Sequence, residues 1–139
     1  MKKIKILKPE KLGHRDWGEE YLLSLVSGKY TFKKIIIKAG KKGGLQYHQK
    51  KNECAYLISG RLILKFDDGK DNLVSKEIKP GQAFHIPPGA VHQEYAITDC
   101  EIIEVSTPHF NDRVRVEKKY GLEDEKGLPS TTISEIIEK

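Results

Sequence analysis

A chain of 139 residues with 37% hydrophobic side chains can bury a core without disulfide or structural-metal staples, and a single domain over residues 1–139 is the expectation. Its apolar runs, such as Ile35-Ile36-Ile37 and Tyr56-Leu57-Ile58, are far too short for a membrane-spanning helix, which needs about 20 such residues. The net charge of +5 is spread as lysines among Asp and Glu rather than gathered with aromatics on one face, so nucleic acid is not the expected partner; a solvated surface is, with attraction of an anionic small substrate as a further use.

The N-terminal run Ile4-Lys5-Ile6-Leu7 stops at Lys8, Pro9 and Glu10 before an apolar secretion core forms, which favours a cytoplasmic location. From residue 20 to residue 107, short runs rich in Ile, Val, Leu, Tyr and Phe alternate with turn residues. The predicted strands are 20–26, 30–38, 45–48, 54–59, 61–67, 73–78, 83–86, 91–97 and 100–107. Ser27-Gly28-Lys29, Ser59-Gly60, Lys79-Pro80-Gly81 and Pro87-Pro88-Gly89 are among the turns between them. So many short strands close most economically into an all-β jelly-roll, a small barrel with few exposed strand edges. Residues 1–19 and 108–139 are flanks; 112–129 reads as charged and mostly irregular, and Thr132 with Glu135 makes a capping-box pattern for a short C-terminal helix.

Cys54 and Cys100 form no disulfide framework and read as free thiols in a reducing compartment. Gln46 and His48 stand two apart in a β-like run, so both side chains leave one strand face. Glu53 follows after Gln49-Lys50-Lys51-Asn52, a stretch long enough to turn the chain and bring a second strand beside the first. His92 comes after the rigid Ile86-Pro87-Pro88-Gly89 corner. This mixed nitrogen and oxygen set suits one divalent ion such as Zn²⁺, Mn²⁺, Fe²⁺, Co²⁺ or Ni²⁺, with positions left open for water or substrate.

Two blocks resemble the two-part signature of the cupin superfamily. His48, Glu53 and Gly60 fall at the spacing of the first, with Gln46 where its first histidine usually stands; Gly81, Pro87, Gly89 and His92 fit the second. Leu45-Gln46-Tyr47-His48 is similar to the metal-binding segment of cupin-type phosphomannose isomerases. Trp17-Gly18, Ile103-Glu104-Val105, Asp112-Arg113-Val114-Arg115 and Tyr120-Gly121 resemble further segments of that domain as found at the end of mannose-1-phosphate guanylyltransferases. The chain departs from that pattern at Lys50-Lys51, Gln93, Ser106 and Leu122, positions that bear on substrate and activity.

The resemblance implies a double-stranded β-helix, metal ligands Gln46, His48, Glu53 and His92, and a sugar or sugar-phosphate substrate, isomerised or epimerised in surface polysaccharide or nucleotide-sugar metabolism. Such a reaction needs a base, for which Glu94, two residues beyond His92 on the same strand face, is the first candidate and a surface glutamate the alternative reading; His85 and His109 rank behind it. Lys51 is a candidate contact for a phosphate or sugar oxygen, against the reading of a solvated loop lysine. Cys54, Tyr47 and Tyr95 alternate away from the ligand face and read as packing or interface, and Trp17 as a clamp for the flank. A non-catalytic sugar-binding or regulatory cupin and a metal-dependent dioxygenase are the other classes. Family resemblance also implies a homodimer, with Ile4-Lys5-Ile6-Leu7 as a candidate edge strand.

Overall fold

In the computed structural model, which describes residues 2–122, the strands are β1 (Glu10–Lys11), β2 (Gly18–Val26), β3 (Tyr30–Ile37), β4 (Gln46–His48), β5 (Glu53–Ser59), β6 (Leu62–Asp67), β7 (Leu73–Ile78), β8 (Ala83–Ile86), β9 (His92–Ala96), β10 (Cys100–Ser106) and β11 (Arg113–Arg115). A 3₁₀ turn at Glu117–Tyr120 follows. Every pairing is antiparallel, in a six-stranded sheet ordered β1-β2-β3-β10-β5-β8 and a five-stranded sheet ordered β11-β4-β9-β6-β7. This is the jelly-roll barrel expected from the run of short strands.

Two strands arise where none is expected. Arg113-Val114-Arg115 lies in the segment read as irregular, yet it pairs with β4 and buries Val114. Glu10–Lys11 extends the other sheet beside β2. By contrast, Ile4-Lys5-Ile6-Leu7 forms no strand, and Ile4 and Ile6 are each 94% exposed. The expected helix near Thr132 lies outside the described residues. No described helix is long and apolar enough to cross a membrane.

Period-two burial along the strands divides the barrel interior by level. In β5 Glu53, Ala55 and Leu57 are buried, and in β10 Cys100, Ile102, Glu104 and Ser106 are. Register places Ile35, Ile102 and Leu57 side by side, then Lys33, Glu104, Ala55 and Phe84, then Thr31, Ser106, Glu53 and Ile86. The first level belongs to the apolar core, which also takes in Ile37, Leu62, Ile78 and Ala96, with Trp17 packed against it. Trp17 therefore anchors the N-terminal flank as expected. Gly60 closes the β5–β6 corner at φ +96°, where an added Cβ would lie 2.2 Å from the Asp99 carbonyl oxygen; only glycine fits that approach.

Cys54 is exposed on the outer face and is not a packing residue, because β5 turns it away from the barrel interior. Cys100 is buried, and both cysteines are free thiols. Tyr95 also faces outward, 37% exposed, while Tyr47 is half-buried.

Candidate functional site

Glu53 and His48 do not stand on neighbouring strands. β4 belongs to the five-stranded sheet and β5 to the six-stranded one, so residues 49–52 carry the chain across the barrel mouth. The two side chains consequently meet through the interior. Gln46 is the register partner of His92 on β9, which brings the fourth candidate ligand to the same level.

Three ligating groups converge. Candidate ligand atoms of His48, Glu53 and His92 all lie within 4.8 Å of one another. Glu53 Oε1 is 4.0 Å from His48 Nε2 and 3.6 Å from His92 Nε2. Each ring is held from behind: His48 Nδ1 lies 3.0 Å from Asp112 Oδ1, and His92 Nδ1 lies 2.9 Å from the Ala90 carbonyl oxygen. A carboxylate and a carbonyl can only accept, so both histidines donate from Nδ1 and present the Nε2 lone pair to Glu53. That tautomer is the one a metal ligand requires. Asp112 is fixed in turn by the backbone N–H groups of Lys50 at 2.9 Å and Lys51 at 2.7 Å. These bonds and His48 outweigh the effect of burial and hold the Asp112 carboxyl below its ordinary range.

Burial drives the ring of His48 toward its neutral form, with Lys51 and His92 adding to the effect and Asp112 only partly opposing it, so its pKa falls to about 4. His92 is lowered too, chiefly by burial. Two neutral imidazoles, a carboxylate and a polar rear shell fit a divalent ion.

Lys51 is not a solvated loop residue. Its Nζ is buried 2.8 Å from Glu53 Oε2 and 2.8 Å from Glu104 Oε1. Neither oxygen has a well-directed hydrogen bond among the described residues, so the contact is an ion pair rather than a directional one. Burial pulls the lysine down, but the two carboxylates outweigh it and raise its pKa, keeping it charged. Glu94 faces the same interior, where burial first and then the Glu104 and Glu53 charges push its pKa up to about 8. It is a cavity residue, not a surface glutamate. Glu104 is likewise raised, mainly by burial.

These groups line a cavity of about 740 Å³ together with Gln46, Arg15, Lys33 and residues 109–113 at the start of β11. His109 is at its wall, with Nδ1 2.8 Å from Thr107 Oγ1. His85 is elsewhere: its Nε2 is 2.7 Å from Asn52 Oδ1, and it lines a second, apolar cavity of about 440 Å³. Asp112 and Glu104 are the site residues that spacing did not single out. The signal for Glu104 was its place in the inward row of β10; Asp112 lies in a recognisable segment but carries no local cue to its partner.

A two-sheet barrel with imidazole and carboxylate groups converging at one end defines the class. Residues 33–106, more than half of the chain, match the Cupin domain family, and the chain belongs to that family. No curated protein matches it. Among solved structures, the capsular polysaccharide assembling protein CapF from Staphylococcus aureus superposes with a TM-score of 0.69 at 19% identity, over 78% of this chain and 32% of that one. The chain thus spans about a third of CapF. An RmlC-like cupin from Shewanella frigidimarina gives 0.63 at 19% identity, over 76% and 88% of the two chains. KdgF from Halomonas sp. gives 0.61 at 15% identity, over 71% and 87%. Identities this low support the shared fold alone.

Proposed function

We propose that the protein is a metal-dependent cupin enzyme that isomerises or epimerises a sugar or sugar phosphate, with Gln46, His48, Glu53 and His92 holding the metal. The observation that carries this reading is the convergence of two Nδ1-anchored histidines and Glu53 inside a cavity that also contains Glu94. CapF, a neighbour in fold, is a capsular polysaccharide assembling protein, which is in keeping with sugar chemistry.

A bound divalent ion supplies Lewis-acid polarisation of a substrate carbonyl or hydroxyl. The protein's own residues supply the rest. Asp112 and the Ala90 carbonyl orient the two imidazoles. Glu94 is the acid–base group: it faces the cavity, and in the metal-free protein burial and the Glu104 and Glu53 charges raise its pKa to about 8. Lys51, tied to Glu53 and Glu104, serves as a fixed internal cation that keeps the carboxylates in place and offers charge to a substrate oxygen. The exposed residues Phe32, Tyr56, Ile58 and Val105 on the outer face of β3, β5 and β10 support a homodimer, which light scattering would test.

The test is metal content by elemental mass spectrometry, followed by an assay of mannose 6-phosphate isomerisation in wild type and Glu94→Gln. About one equivalent of metal with turnover that the variant loses is the expected result. Metal without turnover on this or other sugar phosphates would overturn the enzyme reading in favour of a binding role.

A further inference from the structure

Lys33 and Glu20 are nearly buried inside the barrel mouth, with side-chain exposures of 11% and 12%. Burying a lysine is costly unless it is paired. Here Lys33 Nζ is 2.9 Å from Glu20 Oε1, while Arg15 Nε donates to Glu20 Oε2 at 3.0 Å. One carboxylate is shared by two cations. The triad therefore carries a net charge of +1, and both cations retain donor N–H groups beyond those spent on Glu20. Burial opposes ionisation of Glu20, but Lys33 and Arg15 outweigh it and hold its pKa below the ordinary range.

Arg15 is held in place. Trp17 packs on the core, Gly18 N bonds the Arg15 carbonyl oxygen at 3.3 Å, and Leu12 N bonds the Glu20 carbonyl oxygen at 2.8 Å. The guanidinium lies against Gly13, where an added Cβ would come within 2.8 Å of Arg15 Nη1. Arg15, Glu20 and Lys33 line the same cavity as His48, Glu53 and His92. Lys33 is the register partner of Glu104 on β10, and Glu53 is on β5, the next strand over. Two strand spacings across the sheet and two residues along it separate Lys33 from Glu53, roughly 12 Å between Cα positions. A group bound at the triad therefore belongs to the far end of a substrate, not to the atoms that meet the metal.

We infer that Arg15 and Lys33, with Glu20 between them, form a binding subsite for the remote oxyanion of the substrate, a phosphate or a carboxylate. The inference rests on the proposed function only in taking this cavity as the substrate site. It accounts for a nearly buried lysine and a part-exposed arginine, 11% and 35% exposed, that the metal centre does not use, and it makes an anionic substrate the preferred one.

The test is titration of inorganic phosphate and, separately, acetate into chelator-treated and zinc-reconstituted protein by calorimetry, which separates anion held by the metal from anion held by the cations. Zinc-reconstituted protein is also compared for mannose 6-phosphate and mannose. Wild type is expected to bind at least one of the two simple anions without metal; the tighter one names the substrate's group. Arg15→Gln and Lys33→Gln should each weaken that binding on the order of tenfold, the loss of one charge-assisted hydrogen bond. Lys33→Arg should keep the affinity, and Glu20→Gln should raise it. Circular dichroism checks that each variant is folded. Failure of both anions to bind the metal-free protein, or equal binding by wild type and the folded Gln variants, overturns the subsite. Metal content reports on the metal centre independently: anion binding at the triad in a protein that retains no metal would sink the metal reading and leave this one standing.

Discussion

Three neighbouring strands, β3, β10 and β5, build both ends of the barrel interior. At the level of Ile35, Ile102 and Leu57 they present only hydrocarbon; one strand repeat away the same strands present Lys33, Glu104 and Ala55, and one further Thr31, Ser106 and Glu53. The first level is stabilised by area removed from water and needs no partners. The others contain groups whose burial is tolerable only because each meets another: Thr31 with Ser106 at 2.6 Å, Glu53 and Glu104 with Lys51, Lys33 with Glu20. One scaffold thus offers a rigid floor and, directly above it, a set of polar groups that are costly to bury and chemically useful.

Substitutions at the two levels should fail in different ways. His92→Ala is expected to abolish metal retention, taking the content from about one equivalent to none by elemental mass spectrometry, while the chain stays folded. Leu57→Ala, at the apolar level, should cost roughly 2–5 kcal/mol in chemical denaturation and leave the folded fraction with its metal. If Leu57→Ala lost metal at native stability, the two levels would not be separable. Lys51→Met removes the cation between Glu53 and Glu104 and should destabilise the metal-free protein by about 3–5 kcal/mol in chemical denaturation.

Asp112→Asn tests the rear shell of the polar level. An amide can turn its NH₂ toward the ring and favour the other tautomer, so metal affinity should fall about 10–100-fold in a competition titration with little change in stability. The pH dependence of metal-free protein tests the polar level from another side. The Glu94 pKa is raised in the fold, so its contribution is fully present below its ordinary value of 4.5 and is lost as pH rises through about 8. The His48 pKa is depressed, so its contribution is present above 6.5 and lost as pH falls through about 4. Glu94→Gln should accordingly gain Tm over wild type progressively from pH 5 to pH 8. A constant offset across that range would mean that Glu94 does not titrate there.

Much of this architecture could be read along the chain because β-structure reports itself at short range. Alternation and Gly or Pro turns locate nine of the strands within a residue or two, and the spaced His48, Glu53 and His92 do converge. What could not be read is which inward polar residues meet. Asp112 is 64 residues from His48, and nothing near either names the other. Arg113-Val114-Arg115 is too short for alternation to mark it as a strand. Lys51 looks like any loop lysine until the loop is seen to cross the barrel mouth, which puts its ammonium between two buried carboxylates.

The hydrogen bond from His48 to Asp112 also limits how portable the candidate metal site is. The stretch that identifies the family, residues 33–106, contains all four candidate ligands but neither Asp112 nor Arg15. Grafted into another barrel, it would import the ligands without the residue that decides which imidazole nitrogen faces the metal. The unit that must be inherited together is therefore longer than the unit by which the family is identified.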